Sequence, residues 1–216
     1  MRLRALLMAL LFAAPATAGS LHGSVKVPSA PAPETRFRPY AGRASSLPSP
    51  ARNPRGLVTD AVLYVESLPV GATITPHGPT PQLAQRNQSF DPRVVVVAAG
   101  GTVDFPNFDP IYHNVFSVSP IKRFDLGKYP RGQSRSVVFP KPGLVNVFCD
   151  IHADMAAFIL VVPNNGWVRP NAEGHFELSG LPPGHYKLHW WHPDFPAGES
   201  AVDVAATGAT TVDVSF

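Results

Sequence analysis

Prolines are spread along the whole chain, 25 of them in 216 residues, and they limit the length of any helix. Each proline removes a backbone donor and clashes with the preceding helical turn. Short apolar or alternating runs lie between Pro- and Gly-rich turns, a pattern typical of a β-sandwich or barrel. A hydrophobic fraction of 44% argues against a disordered chain. The sequence therefore predicts an all-β protein.

Residues 1–18 predict a signal peptide. Arg2 and Arg4 precede an apolar run, and the small residues Ala16-Thr17-Ala18 follow it. The apolar run is about ten residues long, half of what spans a bilayer. We therefore expect export to an oxidising compartment, most simply a bacterial periplasm, with no membrane insertion after cleavage. The net charge of +3 is too small to indicate a nucleic-acid partner.

The residues with the most distinctive chemistry lie between Phe148 and Met155. Cys149, His152 and Met155 follow each other at intervals of three, directly after a predicted apolar strand. A tight loop there can turn all three side chains toward one point, and His113, at the start of an earlier predicted strand, is the best candidate for a second imidazole. Soft sulfur ligands with two imidazoles favour copper, although zinc also binds Cys and His. Two His, one Cys and a weak axial Met make up a blue-copper site.

With His113-Asn114 and Cys149-x-x-His152-x-x-Met155, the chain resembles the cupredoxin family, with the short ligand loop of amicyanin. The resemblance implies a Greek-key cupredoxin β-sandwich over residues 76–163 and one mononuclear copper ion. His113, Cys149 and His152 would be the equatorial metal ligands and Met155 the axial one. The backbone of Asn114 would lie near the sulfur, and His152 would be the ligand nearest solvent, ringed by apolar side chains.

One feature departs from the family. Asp150 and Asp154 place negative charge at the edge where an apolar surface for partner docking is usual. This departure concerns the partner and leaves the predicted ligand set unchanged.

The remaining segments resemble a small carboxypeptidase regulatory-like β-sandwich. Gly23-Ser24-Val25 and Ala61-Val62-Leu63-Tyr64 match its opening strands, and residues 173–188 match its second half. The resemblance implies a discontinuous module, 20–75 with 164–216, that carries a Pro/Arg-rich loop at 28–56. A disordered N-terminal arm with a simple tail domain is the alternative arrangement. The combination resembles exported cupredoxin-like methylamine-utilisation proteins.

We therefore expect a periplasmic type 1 copper protein that carries single electrons between redox protein partners and is not an enzyme. Cys149 has no neighbouring histidine, so a trinuclear oxygen-reducing cluster is not indicated. Copper storage or delivery is one alternative. Another is an adhesion or carbohydrate-binding module that uses Trp190-Trp191 as its surface. For His189 and His192, which bracket that pair, a polar strand face is favoured over a second metal site.

Overall fold

The computed structural model describes residues 19–28, 56–206 and 208–216. Within them the regular secondary structure is β-strand, apart from one short 3-10 helix at Val58–Asp60. The predicted all-β class is confirmed. None of the helical structure in these residues is long and apolar enough to cross a bilayer. The predicted signal peptide and nearly all of the Pro/Arg-rich loop lie outside the described residues.

The described residues contain seventeen strands, which are numbered in chain order. They are β1 (Gly19–Lys26), β2 (Val62–Val65), β3 (Ala84–Arg86), β4 (Ser89–Asp91), β5 (Val94–Ala98), β6 (Thr102–Pro106), β7 (His113–Ser119), β8 (Lys122–Tyr129), β9 (Ser134–Val138), β10 (Gly143–Phe148), β11 (Ala156–Val162), β12 (Trp167–Val168), β13 (His175–Leu181), β14 (Gly184–His192), β15 (Phe195–Val204), β16 (Ala209–Thr211) and β17 (Val214–Ser215).

Strands β3 to β11 form the first sandwich. A five-stranded sheet in the order β5-β11-β10-β7-β8 faces a two-stranded sheet of β6 and β9, and β3 and β4 form a hairpin. In β10, Val145 and Val147 are buried and Asn146 between them is less so, as expected when alternate side chains point to opposite faces. These two valines pack in one core with Val103 and Phe105 of β6. That core separates the two sheets.

The strands that precede and follow this sandwich in the chain pair with one another. β1 pairs with β13, β16 and β17, and a second sheet has the order β12-β2-β14-β15. Leu21 of β1, Leu63 of β2 and Leu188 of β14 are buried in the core between these sheets. The polypeptide thus leaves this second sandwich after β2 and returns to it at β12.

The run of four valines in β5 explains how the two sandwiches are joined. Val95 and Val97 belong to the core of the first sandwich, whereas Val94 and Val96 pack with Val62 and Trp191 of the second. A strand that is buried on both faces reads as a continuous apolar run rather than an alternating one. The outer face of the first sandwich is therefore covered by the second.

An ion-pair network borders this contact. Arg93, just before β5, lies 2.6 and 2.7 Å from the two carboxylate oxygens of Asp194 and 3.2 Å from Asp60. All three side chains are largely buried. The charges are therefore withdrawn from water but paired, as buried charges must be.

Several strands differ from the sequence-based expectation. The hairpin of β3 and β4, the short β12 and the charged β8 have no apolar alternation strong enough to predict them. In the hairpin, Asn87 and Gln88 both have positive φ, 52° and 56°, as a two-residue turn requires. The predicted strand Thr210–Phe216 is divided into β16 and β17.

Candidate metal centre

Three potential metal ligands converge at one end of the first sandwich. The Sγ atom of Cys149 lies 4.0 Å from Nδ1 of His113 and 3.8 Å from Nδ1 of His152. The donor atoms of the three residues all lie within 4.8 Å of one another, and this is the one such group of His, Cys, Asp and Glu found among the described residues. The sequence pattern predicted this convergence.

The strand framework positions each donor. His113 is the first residue of β7, and Cys149 follows the last residue of β10, the strand that neighbours β7 in the sheet. The loop after Cys149 is closed by two backbone hydrogen bonds, from Cys149 N–H to the Met155 carbonyl and from Met155 N–H to the His152 carbonyl. This compact turn brings the imidazole of His152 back over the sulfur.

The surroundings of the sulfur favour a thiolate. Burial raises the pKa of the Cys149 thiol, but the neighbouring His113 ring opposes this effect. Backbone hydrogen bonds to the sulfur from Asn114, His152 and Ile151 also lower the pKa of the thiol. The pKa of the thiol is therefore lowered from its usual value, which suits a metal-binding cysteine.

The two imidazoles have different environments. Burial lowers the pKa of His113, but its contacts with Cys149 and Asp109 outweigh burial and raise the pKa. For His152 both burial and the charge of His113 lower the pKa. His113 is fully buried, whereas His152 is partly exposed. The exposed imidazole is thus favoured in its neutral form, the form in which histidine binds a metal.

A carboxylate that the sequence analysis missed orients the buried imidazole. Oδ2 of Asp109 lies 2.7 Å from Nε2 of His113. The same carboxylate accepts the backbone N–H groups of Asn87 and Gln88, at 2.6 and 2.8 Å, from the turn of the β3–β4 hairpin. The one sequence feature that points to Asp109 is its position four residues before the predicted ligand His113.

Met155 and Asn114, which the family resemblance also assigns to the site, are both buried. The Met155 side chain is buried in the same core as Cys149. The backbone of Asn114 forms a hydrogen bond to the Cys149 sulfur. The side-chain Oδ1 of Asn114 is buried and has no hydrogen-bond partner among the described residues.

The end of the sandwich that carries His152 is apolar at its centre. Phe108, Ile111 and Tyr112 from the loop before β7 and Ile151 from the ligand loop are large apolar side chains exposed to solvent. Asp150, which the sequence analysis placed at this edge, lies 3.7 Å from Nζ of Lys128.

In the His189–His192 stretch, His189 lies beside the carboxylates of Glu66 and Glu199, as expected for a polar strand face, but His192 departs from the expectation. His192 is buried, not on a polar strand face, because Nε2 binds the Leu57 carbonyl and Nδ1 accepts the Asp194 N–H. Trp190 packs against the core of the second sandwich, whereas Trp191 packs against the contact between the sandwiches. Successive residues of a strand face opposite sides, so the two tryptophans do not form one exposed surface.

The donor set fits a single soft metal ion. A metal about 2.3 Å from a thiolate sulfur and about 2.0 Å from an imidazole nitrogen holds these atoms at most about 4.3 Å apart. The observed separations of 4.0 and 3.8 Å lie within that limit. A buried sulfur and two imidazoles suit copper or zinc, and calcium and magnesium are disfavoured because they require oxygen ligands.

Comparison with solved structures finds copper proteins. A purple cupredoxin from Nitrosopumilus maritimus is 22% identical, covers 38% of this chain and 98% of its own, and has a TM-score of 0.35. A copper-containing nitrite reductase from Thermus scotoductus SA-01 is 27% identical over 44% of this chain and 24% of its own, with a TM-score of 0.37. A Cu(I) form of an amicyanin mutant is 18% identical over 46% of this chain and 97% of its own, with a TM-score of 0.37.

The other comparisons add no relative. No family model matches the sequence, and no curated protein matches it. The findings give no support to the resemblance of residues 20–75 and 164–216 to carboxypeptidase regulatory-like modules or to methylamine-utilisation proteins. That resemblance stays a prediction.

Proposed function

We propose that this protein is a mononuclear type 1 copper protein that carries single electrons. His113, Cys149 and His152 are the equatorial ligands, and Met155 is the axial ligand. The observation that carries the proposal is the convergence of the Cys149 sulfur with two imidazole nitrogens, at 4.0 and 3.8 Å. When bound, copper supplies a one-electron couple, because it is stable as both Cu(I) and Cu(II).

The protein holds two of the ligands, His113 and Cys149, in fixed positions. The His113 ring is fixed between Asp109 and Cys149, and backbone amides fix the Cys149 sulfur. Both side chains are buried between packed strands, where they cannot rotate freely. A site whose ligands hold the same positions in both oxidation states requires little rearrangement when an electron arrives or leaves.

His152 provides the route for the electron. It is the ligand that reaches the surface, and the exposed apolar side chains of Phe108, Ile111 and Ile151 lie on the two loops that form this end of the sandwich. An apolar surface around a partly exposed ligand allows a redox protein to approach closely and exclude water. Redox proteins are the partners in this proposal, and the carrier transforms no substrate.

Export to the periplasm belongs to the same proposal. Its support is the signal-peptide pattern of residues 1–18 and the single cysteine, Cys149. An unpaired thiol in an oxidising compartment is exposed to oxidation unless it is buried or bound to a metal. Cys149 is buried, and metal ligation would protect it further.

The spectrum of the copper-loaded protein tests the proposal. One equivalent of Cu(II) should give an intense thiolate-to-copper band and the matching EPR signal, and Cys149→Ser should abolish the band while keeping a side chain of similar size. His152→Gln should weaken copper binding, whereas His175→Gln, which changes an exposed histidine of the second sandwich, should leave the spectrum unchanged. A colourless protein that binds no copper would contradict the proposal.

Copper storage or delivery is the alternative that the partial exposure of His152 favours, because an exposed ligand allows metal to exchange. The two functions differ in what leaves the site. Reversible voltammetry without loss of copper supports electron transfer. Rapid transfer of the bound copper to a chelator would instead support delivery.

A further inference from the structure

Cationic side chains are concentrated on one side of the metal-binding end. Four of them, which we call the basic rim, come from the β3–β4 hairpin, β8, the turn after β8, and β9. They are Arg86, Lys128, Arg131 and Arg135, and all four are exposed.

Two members of the basic rim contact the surface that surrounds His152. The guanidinium of Arg86 lies 3.8 Å from the ring centroid of Phe108, an exposed apolar residue of that surface. Nζ of Lys128 lies 3.7 Å from the carboxylate of Asp150, the residue directly after Cys149. Lys128 is also paired with Asn114 across β7 and β8. The rim is therefore continuous with the ligand loops.

The other two members are tied to the same end by the strand register. Arg135 lies 4.9 Å from the ring of Tyr129, the residue opposite His113 in the sheet. The turn that contains Arg131 is joined to Asn107, two residues before Asp109, by two backbone hydrogen bonds. Gly132 N–H donates to the Asn107 carbonyl, and Asn107 N–H donates to the Gln133 carbonyl.

Exposed carboxylates of β8 and the ligand loop are fewer than the cations of the basic rim. They are Asp125 of β8 and Asp150 and Asp154 of the ligand loop, three against four cations. Asp150 is paired with Lys128. Asp125 accepts the backbone N–H of Gly127, and this hydrogen bond leaves its charge in place. The cations of the basic rim therefore exceed these exposed carboxylates by one.

Charged residues on an edge strand such as β8 also prevent strands of different molecules from pairing. Lys122 and Lys141 provide a control for a role at the metal-binding end, because they are cations of the same sandwich that lie far from the site. Lys122 pairs with Ser119, six residues along β7 from His113, and Lys141 lies in the turn between β9 and β10, eight residues before Cys149. Both are at the opposite end of the first sandwich, about 20 Å from the site at the rise of a strand.

We propose that the basic rim is the docking surface for an acidic redox protein, which it orients over the apolar surface around His152. This inference rests on the proposed electron-carrier function. Complementary charges at the edge of an interface steer the encounter and raise the association rate more than they raise affinity. The cations lie on one side of the metal-binding end. An acidic partner that binds them is therefore held against this end, with its own redox centre near His152.

Two oxidants of opposite charge and similar size test the charge at this end. The reduced, copper-loaded protein is mixed in a stopped-flow instrument with hexacyanoferrate(III), a trianion, or with tris(1,10-phenanthroline)cobalt(III), a trication. One electron passes from Cu(I) to Fe(III) or Co(III), which leaves Cu(II) with Fe(II) or Co(II). The returning thiolate-to-copper band reports the rate, at ionic strengths from about 0.01 M to about 0.15 M.

The variants compare equal changes of net charge at two places. Lys128→Gln combined with Arg131→Gln should slow oxidation by hexacyanoferrate about 10-fold at low salt. The same double variant should not slow oxidation by the cobalt complex, and the difference from wild type should shrink as salt screens the charges. Lys122→Gln combined with Lys141→Gln, at the far end, should leave both rates near the wild-type values.

The outcomes distinguish this inference from the function on which it rests. Equal slowing by the two double variants, or no slowing by either, would overturn the docking surface and leave the copper carrier intact. A protein that transfers an electron to neither oxidant would contradict the carrier function and the docking surface together. Selective slowing by the double variant at Lys128 and Arg131 supports the proposal.

A polyanion tests whether the rim binds an acidic macromolecule. Poly-L-aspartate should bind the copper-loaded wild-type protein in a calorimetric titration without any oxidant. Poly-L-lysine should not bind, and the double variant at Lys128 and Arg131 should bind poly-L-aspartate several-fold more weakly. Equal affinity of that variant and the wild type would overturn the proposal.

Discussion

Nε2 of His113 lies 2.7 Å from Oδ2 of Asp109, and both side chains are buried at the metal-binding end of the first sandwich. A carboxylate accepts hydrogen bonds, so the proton of the neutral ring is held at Nε2 and the lone pair remains at Nδ1, which faces the Cys149 sulfur. Burial raises the pKa of Asp109, but hydrogen bonds from the amides of Asn87 and Gln88 and from the His113 ring outweigh burial, so the pKa is lowered from its usual value. The orientation of one ligand thus depends on the turn of the β3–β4 hairpin.

Asp109→Asn should therefore weaken copper binding, by about 10- to 100-fold, because the ring of His113 loses its charged orienting partner. The asparagine oxygen can still accept a hairpin N–H, so the fold should be kept. Asp125→Asn, which removes an exposed carboxylate of the same sandwich, is the matched control and should bind copper as the wild type does. Competition titration with a Cu(II) chelator measures the affinity, and equal affinities of both variants would show that Asp109 does not position the ligand.

Met155→Leu separates a role in packing from a role as axial ligand. The Met155 side chain is buried in the core, and exchange of Met for Leu usually costs less than about 1.5 kcal/mol. The free energy of unfolding of the copper-free protein should therefore change little. The EPR spectrum and the reduction potential of the copper form should change, because leucine has no sulfur to coordinate the metal.

The reverse exchange provides the control for Met155→Leu. Leu83→Met changes a buried residue of the same core by the same volume and should leave the copper spectrum unchanged. Identical spectra for the wild type and Met155→Leu would show that Met155 only fills the core.

Apolar or alternating runs in the sequence predict strands at Val94–Ala98, His113–Val118, Leu144–Cys149 and Ala157–Val162, which match β5, β7, β10 and β11 to within one residue at each end. These strands also place His113 and Cys149, so the sequence predicts the convergence of the ligands. β8 escapes prediction because its charged side chains face solvent at the edge of the sheet, and only Phe124, Leu126 and Tyr129 of this strand pack on the core.

Residues whose roles depend on distant partners are not predictable from local pattern. Asp109 lies in a Pro-containing loop without periodicity, and its partners come from a hairpin twenty residues away in the chain. His192 is buried because Leu57 and Asp194 satisfy its ring nitrogens. The division into residues 20–75 with 164–216 and residues 76–163 stays a prediction, which the strand pairing supports.

Arg93→Met should destabilise the protein by about 3–5 kcal/mol, because it leaves the buried carboxylate of Asp194 without its cation and that of Asp60 with only Arg169, 3.8 Å away. Lys187→Met is the matched control. Lys187 forms exposed ion pairs with Glu66 and Glu199, which contribute little to stability because water and salt screen them. Urea unfolding of the copper-free proteins measures both changes. Similar losses in the two variants would show that the network beside the contact between the sandwiches contributes no more than a surface ion pair.

His192 makes stability depend on pH in a defined direction. Burial lowers the pKa of His192 from its usual 6.5, so the folded protein keeps the ring neutral when the unfolded chain already binds a proton. Unfolding then takes up a proton, and the stability supplied by the neutral ring is present above pH 6.5 and is lost as the pH falls toward the folded pKa. The slope from this one group is at most about 1.4 kcal/mol per pH unit.

His192→Gln should remove this slope. We expect the difference in unfolding free energy between the wild type and the variant, both copper-free, to be constant between about pH 7.5 and about pH 8.5 and to shrink below about pH 6.5. Urea unfolding at several pH values measures this difference. The constant region at high pH is the internal control, because the His192 ring is neutral there in both the folded and the unfolded wild-type protein. A difference that stays the same down to about pH 5 would mean that the folded protein accepts a proton on His192 as readily as the unfolded chain does.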